Sequence, residues 1–190
     1  MSLVKNKPVV CGIVAIGPYN VIGCDGGMPW HSRQDFYHFK HMTMSYPCIF
    51  GRNTYEFLPK KPLPGRLNIV CSSKFNNLYK DGVFYAGSLE RAIRECKGFK
   101  QLFICGGSRV YEYALEKNLI DIMYITEISE KDLEKQVEQK PLAYDYFPVD
   151  IQDYFNAKEW KKELYVYPNG ILPIEENPVF CKFIKYVRTK

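Results

Sequence analysis

The chain has 190 residues, 46% of them apolar and 25% charged, a composition that suits one soluble globular domain spanning residues 1–190. Its formal charge of +5 is spread along the chain and interleaved with acids. This argues against the concentrated basic stripe of a nucleic-acid binder and leaves room for an anionic ligand. Seven cysteines without a C-x-x-C pair, and three histidines crowded at 31, 38 and 41, argue against a disulfide frame and a metal site. The opening residues lack the apolar span of a signal peptide or membrane helix, so cytoplasmic residence and no membrane association are expected.

Val9 to Ile16 is a near-continuous apolar run rich in branched residues and reads as a central strand. A glycine-rich loop follows from Gly23 through Met28-Pro29-Trp30, and a helix is predicted over Arg33 to Met42, with Phe36 and Phe39 on one face, Asp35 beside them, and His38 and His41 on a wet face. Cys48 to Phe50 is a short strand, Arg52 to Leu58 a short helix stopped by Pro59, and Lys60 to Arg66 a rigid turn loop. Leu67 to Cys71 is the next strand; turns at Asn76-Asn77 and Asp81-Gly82 lead to another at Val83 to Tyr85. Ser88 caps a helix carrying Leu89, Ala92, Ile93 and Cys96 at amphipathic spacing, with Gly98 as its stop. Gln101 to Cys105 is a strand running into Gly106-Gly107-Ser108, a helix covers Arg109 to Lys117, and Ile122 to Ile128 is a further strand.

Alternation of strand and helix through the first two thirds predicts an α/β fold with a mostly parallel central sheet and flanking helices. Glu130 to Lys140 reads as a charged helix or disordered insertion and Tyr144 to Pro148 as an aromatic turn. Lys161 to Tyr167 and Val179 to Val187, separated by Pro168-Asn169-Gly170 and a Pro- and Glu-rich excursion, form a C-terminal antiparallel ribbon at one sheet edge.

Two readings of Asp35 stand side by side. Ser32-x-x-Asp35 fits a capping box, in which the acid folds back to the helix start. Alternatively, an acid set among large apolar side chains has its pKa raised toward the range useful for proton delivery. Phe50-Gly51-Arg52-Asn53-Thr54 and Cys105-Gly106-Gly107-Ser108-Arg109 each put a glycine turn before a helix start, where free amides suit a phosphate. Neither is a Rossmann or Walker motif, but two such turns on one edge of a parallel sheet suit a dinucleotide. Arg52, Arg66 and Arg109 border these or similar turns as solvated residues or anion clamps, and Ser72-Ser73-Lys74 is a polar turn or an anion site. Thr126 is a packed sheet threonine or a hydroxyl reaching a carboxylate, and Tyr111 can be core. No nucleophile is paired with a base, which favours one-acid chemistry with a bound cofactor over hydrolysis.

Taken in order, Val14-Ala15-Ile16, Ile22-Gly23, Gly27-Met28-Pro29-Trp30, Asp35-x-x-x-Phe39, Thr43, Gly51-Arg52-x-Thr54, Pro62-Leu63-Pro64-Gly65-Arg66-x-Asn68, Ser72-Ser73, Gly106-Gly107-x-Arg109-Val110-Tyr111 and Ile125-Thr126 resemble the dihydrofolate reductase family in its stand-alone form. The likeness covers about residues 9 to 130, with Asp145, Phe147-Pro148 and Trp160 matching more loosely. It implies NADPH-dependent reduction of 7,8-dihydrofolate to tetrahydrofolate in one-carbon metabolism, with hydride going to C6 and a proton to N5. Pterin antifolates would be ligands, no obligate protein partner is evident, and a monomer is expected.

The resemblance also implies roles. Asp35 is the pterin-binding acid, Thr126 its supporting hydroxyl, Trp30 the side chain near an ordered water and Tyr111 a nicotinamide-side residue, these four being the catalytic set. Phe36, Phe39, Leu58 and Leu63 are the ring slot, Ile13, Met28 and Cys105 also lie on the substrate side, and Arg66 takes the glutamate α-carboxylate. On the cofactor side stand Ala15 and Ile22 by nicotinamide, Thr54 and the Gly106-Gly107-Ser108-Arg109 turn along the pyrophosphate, and Gly51, Asn53 and Val110 beside them. Arg52, Cys71, Ser72, Ser73 and Lys74 belong to the same side, with Arg52 and the serines toward the 2′-phosphate. Phe50, Tyr55 and Cys105 depart from the commonest family residues at their positions. Competing implications are an NADPH-dependent pyrimidine reductase of the riboflavin pathway, which the acid at 35 disfavours, and a non-catalytic nucleotide-binding protein of the same fold.

Overall fold

The computed structural model describes residues 7–75, 77–130, 132–140, 144–157, 159–165 and 179–189. Eleven strands and six α-helices are formed among them, and no described helix is long and apolar enough to cross a membrane. The apolar run Val9–Ile16 is β1, and its parallel partner is β7 (Gln101–Ile104). Outward from β7 the parallel pairing continues through β3 (Cys48–Gly51), β4 (Asn68–Cys71) and β6 (Val83–Ala86). These strands are short and buried on both faces, as parallel strands under helices must be. On the other side of β1 come β8 (Ile122–Ser129), β11 (Phe180–Arg188) and β10 (Trp160–Leu164), the last two pairings antiparallel. The predicted mostly parallel sheet with an antiparallel ribbon at its edge is therefore present. The linker Pro168-Asn169-Gly170 and the rest of the excursion fall outside the described residues.

Contacts along the chain group it into two compact units, one of residues up to Gly12 with Thr43–Asp121, the other of Ile13–Met42 with residues from Ile122 onward. In the first, α2 (Arg52–Glu56), α3 (Leu89–Glu95) and α4 (Ser108–Glu116) accompany the strands. Ser88 Oγ accepts from the Arg91 amide at 3.2 Å, the predicted cap of α3, and Gly98 lies beyond its end at φ +100°. Helix α2 stops two residues short of the predicted Leu58. The Leu58 amide closes a tighter turn onto the Tyr55 carbonyl, because a residue before proline is pushed out of helical conformation. A strand absent from the sequence reading, β5 (Leu78–Lys80), makes a hairpin with β6 through Asp81-Gly82, both at positive φ.

In the second unit, α1 (Arg33–Thr43, ending at the unit's border), α5 (Leu133–Gln139) and α6 (Ile151–Phe155) are joined by a two-stranded sheet, β2 (Val21–Cys24) with β9 (Tyr144–Tyr146). This corrects two expectations: Gly23 lies in a strand and not at the start of a loop, and the aromatic turn at 144–148 begins as its partner. A Cβ on Gly23 would stand 3.2 Å from both the Asp145 Oδ2 and the Gly27 carbonyl, a tight contact that the glycine avoids. Within the charged segment Leu133–Gln139 is helical, and Leu133 and Val137 join a core cluster with Val21, Trp30 and Ile128. Helix α6, also missed, is started by Asp150, whose carboxylate accepts from the amides of Gln152 and Asp153.

The buried stripe of α1 differs from the predicted one. Ser32, just ahead of the helix, and Asp35 and His38 are buried, whereas Phe36 is 38% exposed. His38 was expected on a wet face; it is 2% exposed, with its ring 4.4 Å from Phe183 and 5.5 Å from Tyr165. Its apolar surroundings disfavour the imidazolium and lower its pKa to about 4. His41, one turn on, is exposed as expected.

Candidate functional site

Within the second unit the site begins at the entry to α1. Ser32 Oγ accepts the Asp35 amide at 3.2 Å, and the Phe36 amide bonds to the Ser32 carbonyl at 3.1 Å, so Ser32 is a true N-cap. The Asp35 carboxyl is 7% exposed and receives a hydrogen bond from the Thr126 hydroxyl on β8. Burial raises its pKa to about 6, the Thr126 bond opposing that shift by favouring the carboxylate. The serine thus caps the helix, while the acid's carboxyl is engaged by Thr126. Cysteine 181 on β11 supports the same serine, with its sulfur 3.2 Å from Ser32 Oγ; no sequence signal linked residues so far apart.

In the same unit, Ile13 is buried on β1, while Ala15, Ile22 and Phe39 are half-buried. Met28 and Phe36 are exposed despite their large apolar side chains. Trp30 is buried and packs on Gly17, where a Cβ would come 2.9 Å from its ring. Its indole Nε1 has no hydrogen-bond partner among the described residues, leaving a buried donor.

Within the first unit the two glycine turns meet. The Gly51 amide donates to the Gly106 carbonyl at 2.6 Å. A Cβ on Gly107 would lie 2.7 Å from Thr54 Oγ1, and one on Gly51 would lie 3.1 Å from a Val110 methyl. Gly106 has φ +109° and packs its α-carbon side against the buried ring of Tyr111. Gly107 is the N-cap of α4 without any side-chain cap, so the helix start is bare backbone. The Phe50 and Tyr55 rings lie 6.0 Å apart beside this junction, so the two unusual residues pack on one another. Asn53 and Arg109 are exposed, and Ser108 and Val110 half-buried.

The other predicted residues of this unit fall in two turns. After β4, the half-buried Cys71 and Ser72 lead to exposed Ser73 and Lys74, with Ser72 Oγ accepting the Lys74 amide at 3.3 Å. Arg52 is engaged with Glu56 at 2.8 Å. Before β4, Leu58 and Leu63 are half-buried, and Arg66 donates from Nη1 to Thr43 Oγ1 and from Nε to the Pro64 carbonyl, both at 3.1 Å. Burial holds the Cys105 thiol well above its ordinary pKa, which suits a packing role. All seven cysteines are free thiols. An open groove of about 600 Å³ between Asp150, Asp153, Tyr154 and Trp160 contains none of the predicted site residues.

Fold and site together define a class: α/β proteins with bare glycine turns at parallel strand ends and a buried acid braced by a sheet hydroxyl. The family model for dihydrofolate reductase matches residues 9–164. The chain is 43% identical over 107 residues to the dihydrofolate reductase of Neisseria meningitidis serogroup A, an alignment taking in 56% of this chain and 64% of that one. With the Haemophilus influenzae dihydrofolate reductase it is 33% identical over 147 residues, 77% and 88% of the two chains. The solved structure of an Enterococcus faecalis dihydrofolate reductase, complexed with NADP(H) and RAB-propyl, superposes with a TM-score of 0.73 at 25% identity, covering 97% of this chain and 98% of that one. The chain belongs to the dihydrofolate reductase family. It spans just under two thirds of the length of the Neisseria relatives it matches.

Proposed function

We propose that this chain reduces 7,8-dihydrofolate to 5,6,7,8-tetrahydrofolate, residues 1–190 acting as one monomeric, cytoplasmic reductase of one-carbon metabolism. The observation that carries the reading is the buried Asp35, raised to about 6 and held by Thr126. Near neutral pH such an acid is mainly the carboxylate, able to accept from the N3–H and 2-amino edge of a pterin, yet close enough to its pKa to exchange a proton that ends on N5. Thr126 keeps the carboxyl in one orientation, and the free Trp30 indole N–H offers a donor to an ordered water or to the ligand beside it.

NADPH would supply the hydride delivered to C6. The chain's residues suit that cofactor: the close approach of Gly51, Gly107 and Thr54 is a cradle that a single added Cβ would fill, and the uncapped start of α4 presents amides to a pyrophosphate. Ser72, Ser73, Lys74 and Arg52 are assigned to the 2′-phosphate, with Cys71 beside them. Ala15, Ile22 and Tyr111 are assigned to the nicotinamide. On the substrate side Ile13, Met28, Phe36, Phe39, Leu58, Leu63 and Cys105 take the rings, and Arg66 the α-carboxylate. A pterin antifolate should compete at the same residues.

The direct test follows NADPH absorbance after dihydrofolate is added to purified protein. Dihydrofolate-dependent oxidation, blocked by a pterin antifolate, is expected. Folded protein that binds NADPH yet shows neither turnover nor competition would sink the reading.

A further inference from the structure

We infer that Asn68, to which no role has so far been given, is a positioning residue that sets the carboxylate-binding geometry of the turn from Leu63 to Arg66. The inference rests on the proposed reductase reading and concerns the same substrate end. Asn68 is the first residue of β4 and only 1% exposed, an unusual place for an amide unless all its bonds are made. They are made to one turn. Its Oδ1 accepts the Leu63 amide at 2.8 Å, and its Nδ2 donates to the Leu63 carbonyl at 2.9 Å and the Arg66 carbonyl at 3.0 Å.

The two residues so held are the ring-slot leucine and the carboxylate arginine. Backbone bonds hold the neighbours on either side, the Gly65 carbonyl accepting from Ser45 at 3.0 Å and the Leu67 carbonyl from Cys48 at 2.8 Å, and Gly65 itself sits at φ +69°, where a Cβ would meet the Met44 sulfur at 2.9 Å. The guanidinium is steadied by Thr43 and Pro64, and between the two anchored neighbours the Arg66 carbonyl is held by Asn68. A planar fork recognises a carboxylate bidentately only within a narrow range of orientation, so loosening the backbone at Arg66 should weaken the glutamyl end and leave the pterin end alone.

Kinetics with two substrates test this: dihydrofolate, and a 6-alkyl-7,8-dihydropterin that lacks the glutamyl tail. Asn68→Ala should raise the dihydrofolate KM about tenfold and leave kcat, and both constants for the tail-less dihydropterin, within about twofold. In an Arg66→Ala background the same change should add less than about twofold, since the two residues act as one unit. Equal losses on both substrates would make Asn68 merely structural, and additivity with Arg66→Ala, or no change at all, would also overturn the inference. Should Asn68→Ala not fold, Asn68→Asp serves the same comparison, because it keeps the acceptor for Leu63 and loses both donors. If the unmodified protein turns over neither substrate, the reductase reading itself fails and this inference fails with it, a result distinct from a normal enzyme with an unresponsive Asn68.

Discussion

The acid region and the glycine turns are built by opposite means. Around α1 the chain buries polar side chains, Ser32, Asp35 and His38 on the helix side and Thr126 on β8, and tunes them by desolvation. At the ends of β3 and β7 it removes side chains, so that Gly51, Gly106 and Gly107 bring bare backbone against Thr54, Val110 and Tyr111. The first region is therefore sensitive to the loss of a functional group and to pH. The second is sensitive to the gain of a single carbon. At the named residues, substitutions that keep volume and change chemistry should damage chiefly the first, and those that add a carbon chiefly the second.

The largest effect expected is that of Asp35→Asn, which keeps shape and removes the titrating group. A positioned general acid typically contributes about 10²- to 10⁴-fold, so turnover should fall by that order while NADPH affinity stays near normal. In the unmodified protein kcat/KM should decline above pH about 6 as Asp35 ionises, and in the variant that decline should vanish. Unchanged turnover in stopped-flow or steady-state assays would remove Asp35 from the centre of the chemistry.

Next in size is a pH effect on stability that comes from two groups on one helix. The folded chain lowers His38 from 6.5 to about 4, so its contribution is complete above pH 6.5 and is lost as pH falls toward 4. It raises Asp35 from 3.8 to about 6, so that contribution is complete below 3.8 and is lost as pH rises through about 6. Each shift corresponds to about 3 kcal/mol, and between pH 4 and 6 they oppose one another. Asp35→Asn should therefore make denaturant stability fall by about 3 kcal/mol from pH 6.5 to 4, and His38→Leu should make it rise on the same path. Parallel pH profiles for the two variants would show that these groups do not titrate as their burial requires.

These polar stripes also explain what could be read from the chain beforehand. Wherever burial follows apolar pattern, as in β1, β8 and the amphipathic α3, elements were legible to within a residue or so. On α1 the helix was legible but its inner face was not, because phenylalanines mark a face that is left partly exposed and a histidine takes the buried position. The pairing of β2 with β9 joins Val21 to Tyr146, and no local periodicity reports a contact over such a separation. Strand β5 is exposed at all three residues and so lacks any hydrophobic face to recognise; only Asp81-Gly82 betrayed it. At the site, the glycine turns announced themselves through composition, Asp35 was ambiguous from pattern alone and was paired with Thr126 only through the family resemblance, and Asn68 was part of that resemblance without a role.

A smaller effect, confined to the glycine region, is expected from Gly107→Ala. The added methyl would stand 2.7 Å from Thr54 Oγ1, so either Thr54 or the turn must move. Overpacking of this kind costs roughly 1–3 kcal/mol, and NADPH binding by calorimetry should weaken with it, whereas the pH profile governed by Asp35 should keep its shape. The double variant Gly107→Ala, Thr54→Ser loses the threonine methyl but keeps the clashing oxygen, and should recover little; Thr54→Ala removes the oxygen and should recover most of the stability. Recovery by serine alone would mean that the methyl, and not the close approach of hydroxyl to backbone, limits the turn.

Arg52→Ala should have the smallest effect of all. The guanidinium already bonds Glu56 at 2.8 Å on a half-exposed helix face, and an exposed pair of this type is worth no more than about 1 kcal/mol. To reach a 2′-phosphate it must exchange one anion for another, so its net gain is the difference between the two partners. Loss of Arg52 should narrow the preference for NADPH over NADH by about fivefold, less than a free arginine would give, and Glu56→Gln should widen it by releasing the guanidinium. The opposite response to Glu56→Gln would place the 2′-phosphate on Ser72, Ser73 and Lys74 alone, and would make the first glycine turn a matter of backbone throughout.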